Sequence, residues 1–174
     1  GIQLRVLAHY MNDPEYIEEV VNGDVHLKNL DAMGIGRGVW DDEQGWSNRP
    51  VAKTFIYAYL LGAGNEKIGL ITGGTPDDGR KLKDQFLART PALARLKERA
   101  TIAAGTGRLA GLDGRAIEIK SAHYALSCYL QGAESVIMKY AMITWHNRIR
   151  KAGLDAHLVA YVHDEWQTDT LKGD

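Results

Sequence analysis

The sequence predicts an α+β fold that is mostly helical and carries antiparallel hairpins. Apolar residues at helical spacing, bounded by capping residues, occupy most of the first 104 positions. A further helical stretch runs over 123–151, and two segments, 112–120 and 158–168, have the turn chemistry or alternation of hairpins. With 45% hydrophobic and 25% charged residues among 174, the composition is that of an ordinary globular protein, which excludes disordered and fibrous classes.

The helices of the first half are predicted by apolar spacing and by residues that favour helix ends. Asp13 and Pro14 suit the cap and first turn of one helix, and Thr90 suits the cap of another ahead of Pro91. Four glycines and two tryptophans within 34–48 break all periodicity and predict a loop or insertion. The predicted helices are 2–10, 15–21, 24–33, 49–61, 77–87 and 91–104.

The second half is predicted to combine turns, hairpins and one long helix. Residues 105–111 are predicted as a turn, and the pair Asp113-Gly114 predicts a hairpin over 112–120. The long helix over 123–151 is predicted to stop at Gly153. Residues 158–168 alternate loosely and predict a second hairpin.

Net charge and cysteine content limit which partners and which redox compartment the sequence by itself indicates. A formal net charge of −1 does not by itself indicate a nucleic-acid partner, so any such contact must be argued locally. Cys128 is the single cysteine, which excludes an internal disulfide or a multi-cysteine zinc site and favours a reducing, cytoplasmic setting. No apolar run approaches the roughly 18 residues of a membrane span. A start at Gly1 leads us to expect a piece of a longer protein.

One face of the helix predicted over 49–61 carries a stripe of side chains at a spacing of four: Arg49, Lys53, Tyr57 and Leu61. Two cations on successive turns can bind the oxygens of a triphosphate. An aromatic ring one turn further can pack against the sugar and base of the same nucleotide. The same spacing is also typical of a solvated face with a half-buried tyrosine. Spacing alone therefore leaves both interpretations open.

Three titratable residues lie between apolar neighbours near the end of the chain: His163, Asp164 and Glu165. Adjacent carboxylates at a hairpin tip form a hard-oxygen site suited to Mg²⁺, which prefers one or two carboxylates together with substrate phosphates. A polar hairpin turn that binds nothing also explains the same tripeptide. The tripeptide by itself does not distinguish a magnesium site from a polar turn, and only the surrounding residues can.

The residues around the cationic stripe resemble the fingers helix of family A DNA polymerases. The run is Arg49-Pro-Val-Ala-Lys53-Thr-Phe-Ile-Tyr57-Ala-Tyr-Leu-Leu61-Gly62. The family pattern is Arg, three residues, Lys, three or more, Tyr or Phe, then Tyr-Gly. The resemblance implies that Arg49 and Lys53 bind the incoming triphosphate and that Tyr57 packs on its sugar. Leu61 departs from the pattern, because the family usually has a tyrosine there that helps shape the pocket of the templating base.

The run Val162-His-Asp-Glu165, followed by Trp166 and Gln167, resembles the last palm motif of the same polymerases. The resemblance implies that Asp164 is a ligand of two catalytic Mg²⁺ ions. It also implies that Glu165 assists nearby and that His163 supports the primer end. A serine after His-Asp would instead resemble single-subunit RNA polymerases, whereas this chain has Glu165.

The first residues, Gly1-Ile-Gln3-Leu-Arg5, resemble the tail of the first palm motif. Gln3 stands where the family usually has a glutamate that crowds the 2′-hydroxyl of ribonucleotides. Asn22-Gly-Asp-Val-His26 resembles the family's Gly-Asp-Ile-His, which implies that His26 contacts the triphosphate. The aspartate of the first motif would lie three residues before Gly1, so we expect this chain by itself not to polymerise.

The hairpin around Asp113 and the start of the long helix resemble elements that approach the minor groove of the primer-template. In relatives this helix carries Asn and Gln, which read acceptors present on every base pair in that groove. Here a serine replaces the Asn, while the Gln is kept. The DNA contacts that the resemblance implies are Arg115, His123, Ser127 and Gln131.

Together the motifs imply an incomplete right-hand polymerase fold. Residues 1–33 and 105–174 would belong to the palm, and 34–104 to the fingers, with 49–61 as the nucleotide-binding helix. The implied activity is template-directed DNA synthesis from dNTPs on primer-template DNA in phage-type replication, in the host cell cytoplasm. A processivity factor outside this segment is a further partner that the resemblance allows. Two alternatives stay open: a single-subunit RNA polymerase-like enzyme and a non-catalytic DNA-binding relative.

Overall fold

The computed structural model describes residues 1–170. Within that range it contains eight α-helices, a short 3-10 helix and three two-stranded antiparallel sheets. The predicted α+β class with a mostly helical chain and small antiparallel hairpins is therefore confirmed. The last four residues of the predicted 105–174 segment lie outside the described range.

The first three helices lie where the sequence predicts them: α1 (Ile2–Met11), α2 (Pro14–Val21) and α3 (Val25–Met33). Carboxylate caps begin two of them. Asp13 accepts a hydrogen bond from the backbone N–H of Tyr16 at 3.1 Å, and Asp24 accepts one from that of His26 at 3.0 Å. Each cap satisfies an N–H group that has no partner within its own helix. The position of the Asp24 side chain is thus fixed by its own helix.

A small hairpin and four helices follow. The residues predicted as a loop contain the strands β1 (Trp40–Asp41) and β2 (Gly45–Trp46), whose tryptophan rings pack edge to face with centroids 5.4 Å apart. The helices are α4 (Arg49–Leu60), α5 (Asn65–Ile71), α6 (Pro76–Arg89) and α7 (Pro91–Ala104). Helix α5 is an addition to the predicted elements, because flanking and internal glycines obscure a helical pattern in so short a segment.

The junction between α6 and α7 differs from its prediction in one bond. Thr90 precedes Pro91 at the start of α7, as predicted, but its side chain makes no capping bond to that helix. Its hydroxyl donates to the carbonyl oxygen of Phe86 at 2.6 Å instead. Thr90 is buried, so the hydroxyl takes the acceptor that the preceding helix leaves within reach.

The segment after α7 corrects one predicted boundary. Residues 105–111 are predicted as a turn, yet strand β3 (Arg108–Ala110) lies there and pairs with β4 (Ala116–Glu118). The predicted turn at Asp113-Gly114 does join the two strands, and Gly114 has a φ of +82° that suits glycine. A strand of three residues is defined by its pairing partner rather than by its own pattern, which is why the sequence prediction missed it.

The long helix is confirmed as α8 (Ala125–Ala152). A 3-10 turn, Ala122–Tyr124, precedes it, so the α-helix begins two residues later than predicted. Gly153 ends it with a φ of +69°, as predicted. Although α8 has 28 residues, neither it nor another helix within residues 1–170 is long and apolar enough to cross a membrane.

The final hairpin is longer than predicted. Strands β5 (Ala156–Val162) and β6 (Glu165–Thr170) pair antiparallel, and Val162 pairs with Glu165. This register leaves His163 and Asp164 as a two-residue loop. The ring of Trp166 on β6 lies 6.4 Å from that of Trp145 on α8, centroid to centroid, which sets the hairpin beside the long helix.

One main hydrophobic cluster joins α1 to α8 and fixes the orientation of α4. Phe55 of α4 is fully buried and packs edge to face on Phe86 of α6, with ring centroids 4.9 Å apart. Ile56 is fully buried beside it, whereas Lys53 on the opposite side of α4 is exposed. Because the apolar face of α4 is anchored in the core, its cationic residues must point away from it.

Helices α5 and α6 approach each other closely through two glycines. A Cβ added at Gly79 would overlap the carbonyl oxygen of Asn65 and lie 2.6 Å from the amide nitrogen of Gly69. A Cβ added at Gly69 would overlap the carbonyl oxygen of Thr75 and lie 2.8 Å from its carbonyl carbon. Backbone therefore packs on backbone here, with no room for any side chain.

Candidate active site

An open cavity of about 550 Å³ lies where the tip of the final hairpin meets α1, α4 and α8. Five of the predicted site residues line it: Gln3, Tyr57, Gln131, His163 and Asp164. Other lining residues were not predicted: Gly1, Ile2, Glu134, Ser135 and Tyr161. Motifs from the start, the middle and the end of the sequence thus converge on one cavity.

His163 occupies a strained backbone position at the hairpin tip. Its φ is +54°, in the left-handed region that residues other than glycine adopt uncommonly, histidine being among the more frequent of them. A positive φ at the first residue of a two-residue hairpin loop is where glycine is usual. Strain of this kind costs about 1–3 kcal/mol and concentrates at functional sites. The turn presents the exposed Asp164 to the cavity.

Tyr57 projects from α4 into the same cavity. Burial raises the pKa of its phenol, and the negative charges of Asp164 and Glu134 raise it further. A Cβ added at Gly1 would lie 2.8 Å from the Tyr57 hydroxyl oxygen, so the end of the ring lies against the start of α1. The ring is held at the junction of two helices, where its face can pack against a bound group.

Arg49, the first residue of the cationic stripe, is paired with the cap of α3. Its Nε donates to the Asp24 carboxylate at 2.6 Å. Burial opposes ionisation of Asp24, but the hydrogen bond and charge of Arg49, together with two backbone N–H groups, hold the pKa of that carboxyl below its usual range. One nitrogen of the guanidinium is thereby committed, and its position is set by α3.

His26 of α3 lies close to Tyr57 of α4. It is buried, and its ring centroid is 6.3 Å from that of Tyr57. Its Nδ1 is buried and finds no hydrogen-bond partner within residues 1–170. Burial lowers the pKa of His26, and the positive charges of Arg49 and Lys53 lower it further, against the opposing charge of Asp24. The imidazole is therefore neutral at neutral pH.

We expect the pKa of His26, measured by NMR titration of ¹⁵N-histidine-labelled protein, to lie below 6.5. Asp24→Asn removes the one negative charge that opposes the shift, so the pKa should fall further. Because the folded state binds this proton less tightly than the unfolded state, the contribution to stability is complete above pH 6.5 and is lost as the pH falls toward the folded pKa. A value above 6.5 would contradict the burial and charge balance described here.

The four predicted DNA contacts lie in different places. Gln131 is exposed and lines the cavity. His123 Nε2 lies 2.8 Å from the carbonyl oxygen of Gly62, so this nitrogen carries a proton and ties the start of α8 to the end of α4. Ser127 is buried, and the exposed Arg115 pairs with Asp113 in the turn between β3 and β4. The last three do not line the cavity.

Glu165, the remaining predicted catalytic residue, starts β6 rather than the turn. Its carboxylate accepts a hydrogen bond from Gln167 Nε2 at 3.4 Å, and it is not among the residues that line the cavity. Glu165 pairs with Val162, so it lies on the opposite face of the hairpin from the neighbouring pair Tyr161 and Trp166, and Tyr161 is the residue that lines the cavity. Of the two adjacent carboxylates, the hairpin brings only Asp164 to the cavity.

A divalent cation would find an incomplete set of ligands in the described chain. No group of three or more His, Cys, Asp and Glu side chains is suitably placed for a metal within residues 1–170. Asp164 nevertheless offers hard carboxylate oxygens at the cavity. Mg²⁺ commonly binds through one or two carboxylates plus substrate phosphates, so Asp164 fits as one ligand of a shared site.

Two of the lining residues that were not predicted lie at regular spacings from predicted ones. Glu134 follows Gln131 by three positions on α8, which puts both on one helix face. Tyr161 lies on β5, two positions before the loop residue His163. Spacing from a recognised motif could therefore have indicated them, although neither carries a motif of its own.

The fold is that of a polymerase domain. The structure superimposes with a TM-score of 0.81 on the POL domain of Pol1 from M. smegmatis, solved in complex with DNA primer-template and dNTP. The match covers 99% of this chain and 32% of that one at 22% sequence identity, so it shows the fold alone.

The sequence profile of DNA polymerase family A matches residues 1–173, and the chain belongs to that family. It is 37% identical, over 96% of its length, to the DNA-directed DNA polymerase of Escherichia phage T7. It is 33% identical over its full length to that of Escherichia phage Phieco32, and 29% identical over 94% to DNA polymerase I of Chloroflexus aurantiacus. The chain spans 26%, 32% and 18% of the lengths of these three relatives, in the same order. Members of DNA polymerase family A are metal-dependent.

Proposed function

We propose that this chain is the catalytic part of a phage-type DNA polymerase that performs template-directed DNA synthesis in the host cell cytoplasm. The observation that carries the proposal is the single cavity into which matched motifs bring Gln3, Tyr57, Gln131 and Asp164. Family membership and phage relatives named DNA-directed DNA polymerases support it. The intact protein transfers a nucleotidyl group from a dNTP to a primer 3′-hydroxyl and releases pyrophosphate.

In this proposal residues 1–33 and 105–174 form palm and 34–104 form fingers. The cavity then lies between the two parts, because α4 contributes Tyr57 from one and the hairpin tip contributes Asp164 from the other. Closure of α4 over a correctly paired nucleotide would complete the cavity, which is an induced-fit step that senses base-pair shape.

The incoming nucleotide lies along the stripe of α4. Arg49 and Tyr57 are eight residues apart, which is roughly 12 Å along a helix axis and matches the extent of a triphosphate with its sugar. Arg49 and Lys53 neutralise the phosphates, and we expect His26 to contact the same oxygens. Tyr57 packs on the sugar.

The hairpin tip supplies the reactive centre. Asp164 would be a ligand of two Mg²⁺ ions, which when bound would lower the pKa of the primer 3′-hydroxyl and stabilise charge on the attacking and leaving oxygens. Asp164 lies in the two-residue loop that closes this hairpin. His163 supports the primer end, and Glu165 assists from the first position of β6.

Primer-template DNA lies along α8 and the hairpin β3–β4. Gln131 donates to minor-groove acceptors from the edge of the cavity, which gives contact without sequence choice. The exposed Arg115 contacts phosphate, while His123 and the buried Ser127 act through the position of α8. A processivity factor that binds outside residues 1–174 is a further partner of the intact protein.

Extension of a labelled primer on a template by the full-length protein tests this function. With Mg²⁺ and four dNTPs we expect template-directed extension, and with rNTPs much less. Preference for rNTPs without a primer would support the RNA polymerase alternative instead, against which Glu165 argues. Tight binding to primer-template with no extension in Mg²⁺ or Mn²⁺ would support the non-catalytic alternative.

A further inference from the structure

Two polar residues from opposite ends of the chain share a hydrogen bond at the cavity. The Nε2 of Gln3, in the first turn of α1, donates to the Glu134 carboxylate on α8 at 3.0 Å, across 131 positions of sequence. Both side chains are half-buried, and both line the cavity. Within residues 1–170 the Glu134 carboxylate forms no ion pair. The hydrogen bond from Gln3 therefore offsets part of the cost of removing this carboxylate from water.

Tyr57 stands beside this pair. The hydroxyl end of its ring lies against Gly1, two residues from Gln3. The charge of Glu134 is close enough to raise the pKa of the Tyr57 phenol together with burial and Asp164. Gln3, Glu134 and Tyr57 all line the cavity, and together we call them its polar wall.

The hydrogen bond decides how rigid that wall is. A glutamine side chain has three rotatable bonds, so an unpaired Gln3 would move freely and could not exclude a group as small as one hydroxyl. A charge-assisted bond from its amide to Glu134 fixes the carboxamide in one orientation. Precise exclusion of small groups depends on such a supporting partner.

We propose that Glu134 is a positioning residue for sugar selection: it fixes the orientation of the Gln3 side chain at the cavity so that the wall rejects the 2′-hydroxyl of a ribonucleoside triphosphate. This inference rests on the proposed function and names the residue that gives the cavity its sugar specificity. Gln3 supplies the surface that meets the sugar, and Glu134 acts through Gln3 without touching the nucleotide.

The experiment measures kcat/KM of the full-length protein for a dNTP and the matching rNTP on one primer-template. Glu134→Ala leaves Gln3 unsupported, and we expect the dNTP to rNTP preference to fall at least about tenfold. Glu134→Gln keeps an acceptor oxygen for Gln3 and should stay within about threefold of the unchanged protein. Glu98→Ala, at an exposed carboxylate of α7, is the matched control and should not change the ratio.

Exchange of the Gln3 and Glu134 side chains distinguishes a positioning role of Glu134 from a role in folding alone. Gln3→Glu alone places two carboxylates at hydrogen-bond distance, which should impair incorporation through repulsion. Combined with Glu134→Gln, the donor and acceptor are exchanged and the bond is restored, so the sugar preference should return to within about threefold. A residue needed only for folding would give no such rescue.

An unchanged dNTP to rNTP ratio in Glu134→Ala would overturn the inference. If Glu134→Ala loses dNTP extension as well, the exchanged pair decides: recovery supports the inference and absence of recovery overturns it. Failure of the unchanged protein to extend any primer is a different result, because it contradicts the proposed function and appears before any variant is compared.

Discussion

Replacement of Asp164 by asparagine in the full-length protein should slow nucleotide incorporation by roughly 10³-fold or more, which corresponds to about 4 kcal/mol of barrier. Asp164 is the carboxylate that the hairpin tip brings to the cavity, and its charge is close enough to raise the pKa of Tyr57. Asparagine keeps the shape of the side chain but is a poor ligand for Mg²⁺, which prefers carboxylate oxygens. Single-turnover incorporation of one dNTP measures the rate.

Asp169→Asn is the matched control for this variant. Asp169 is exposed on β6 of the same hairpin and pairs with His157, away from the tip. We expect its rate to stay within about twofold, because surface substitutions away from a site have small effects. A rate for Asp164→Asn within tenfold of the unchanged protein would show that another group holds the metal.

Gly79→Ala should destabilise the fold by about 3 kcal/mol or more. Alanine in a helix gains about 1 kcal/mol over glycine when there is room for its methyl group. At Gly79 there is none, because the added Cβ overlaps the carbonyl oxygen of Asn65 and approaches the backbone nitrogen of Gly69. Backbone cannot rotate away as a side chain can, so α5 and α6 must separate, and overpacking of this kind outweighs the gain.

Thermal unfolding of the full-length protein, followed by scanning fluorimetry, measures this effect. We expect the transition of the domain that contains Gly79 to fall by roughly 6–12 °C. Gly64→Ala is the control, since its φ is −65° and nothing lies within 4 Å of an added Cβ. The close backbone packing would be disproved by a Gly79→Ala transition within 2 °C of that control.

The sequence by itself determined the helices and the identity of the motifs. Helices α1, α3, α4 and α8 lie close to their predicted bounds, because apolar spacing, caps and glycine stops are local signals. The Asp113-Gly114 turn was predictable for the same reason. Resemblance of the motifs to family A DNA polymerases indicated the family before any fold was known, and the family match confirms it.

Only the tertiary structure decided which of those residues meet. It brings Asp164 to the cavity but not Glu165, and it commits Arg49 to Asp24 across 25 positions. It also joins Gln3 to Glu134, which no local pattern indicates.

Short elements also depended on their partners. Strand β3 exists because it pairs with β4, and α5 packs on α6 where two glycines allow it. Helix and strand propensity depends on residues that are neighbours in sequence. Hydrogen bonds between distant side chains, and close contacts between two backbones, depend instead on how whole elements pack. The motifs of this site were therefore visible in the sequence, but their geometry came from packing.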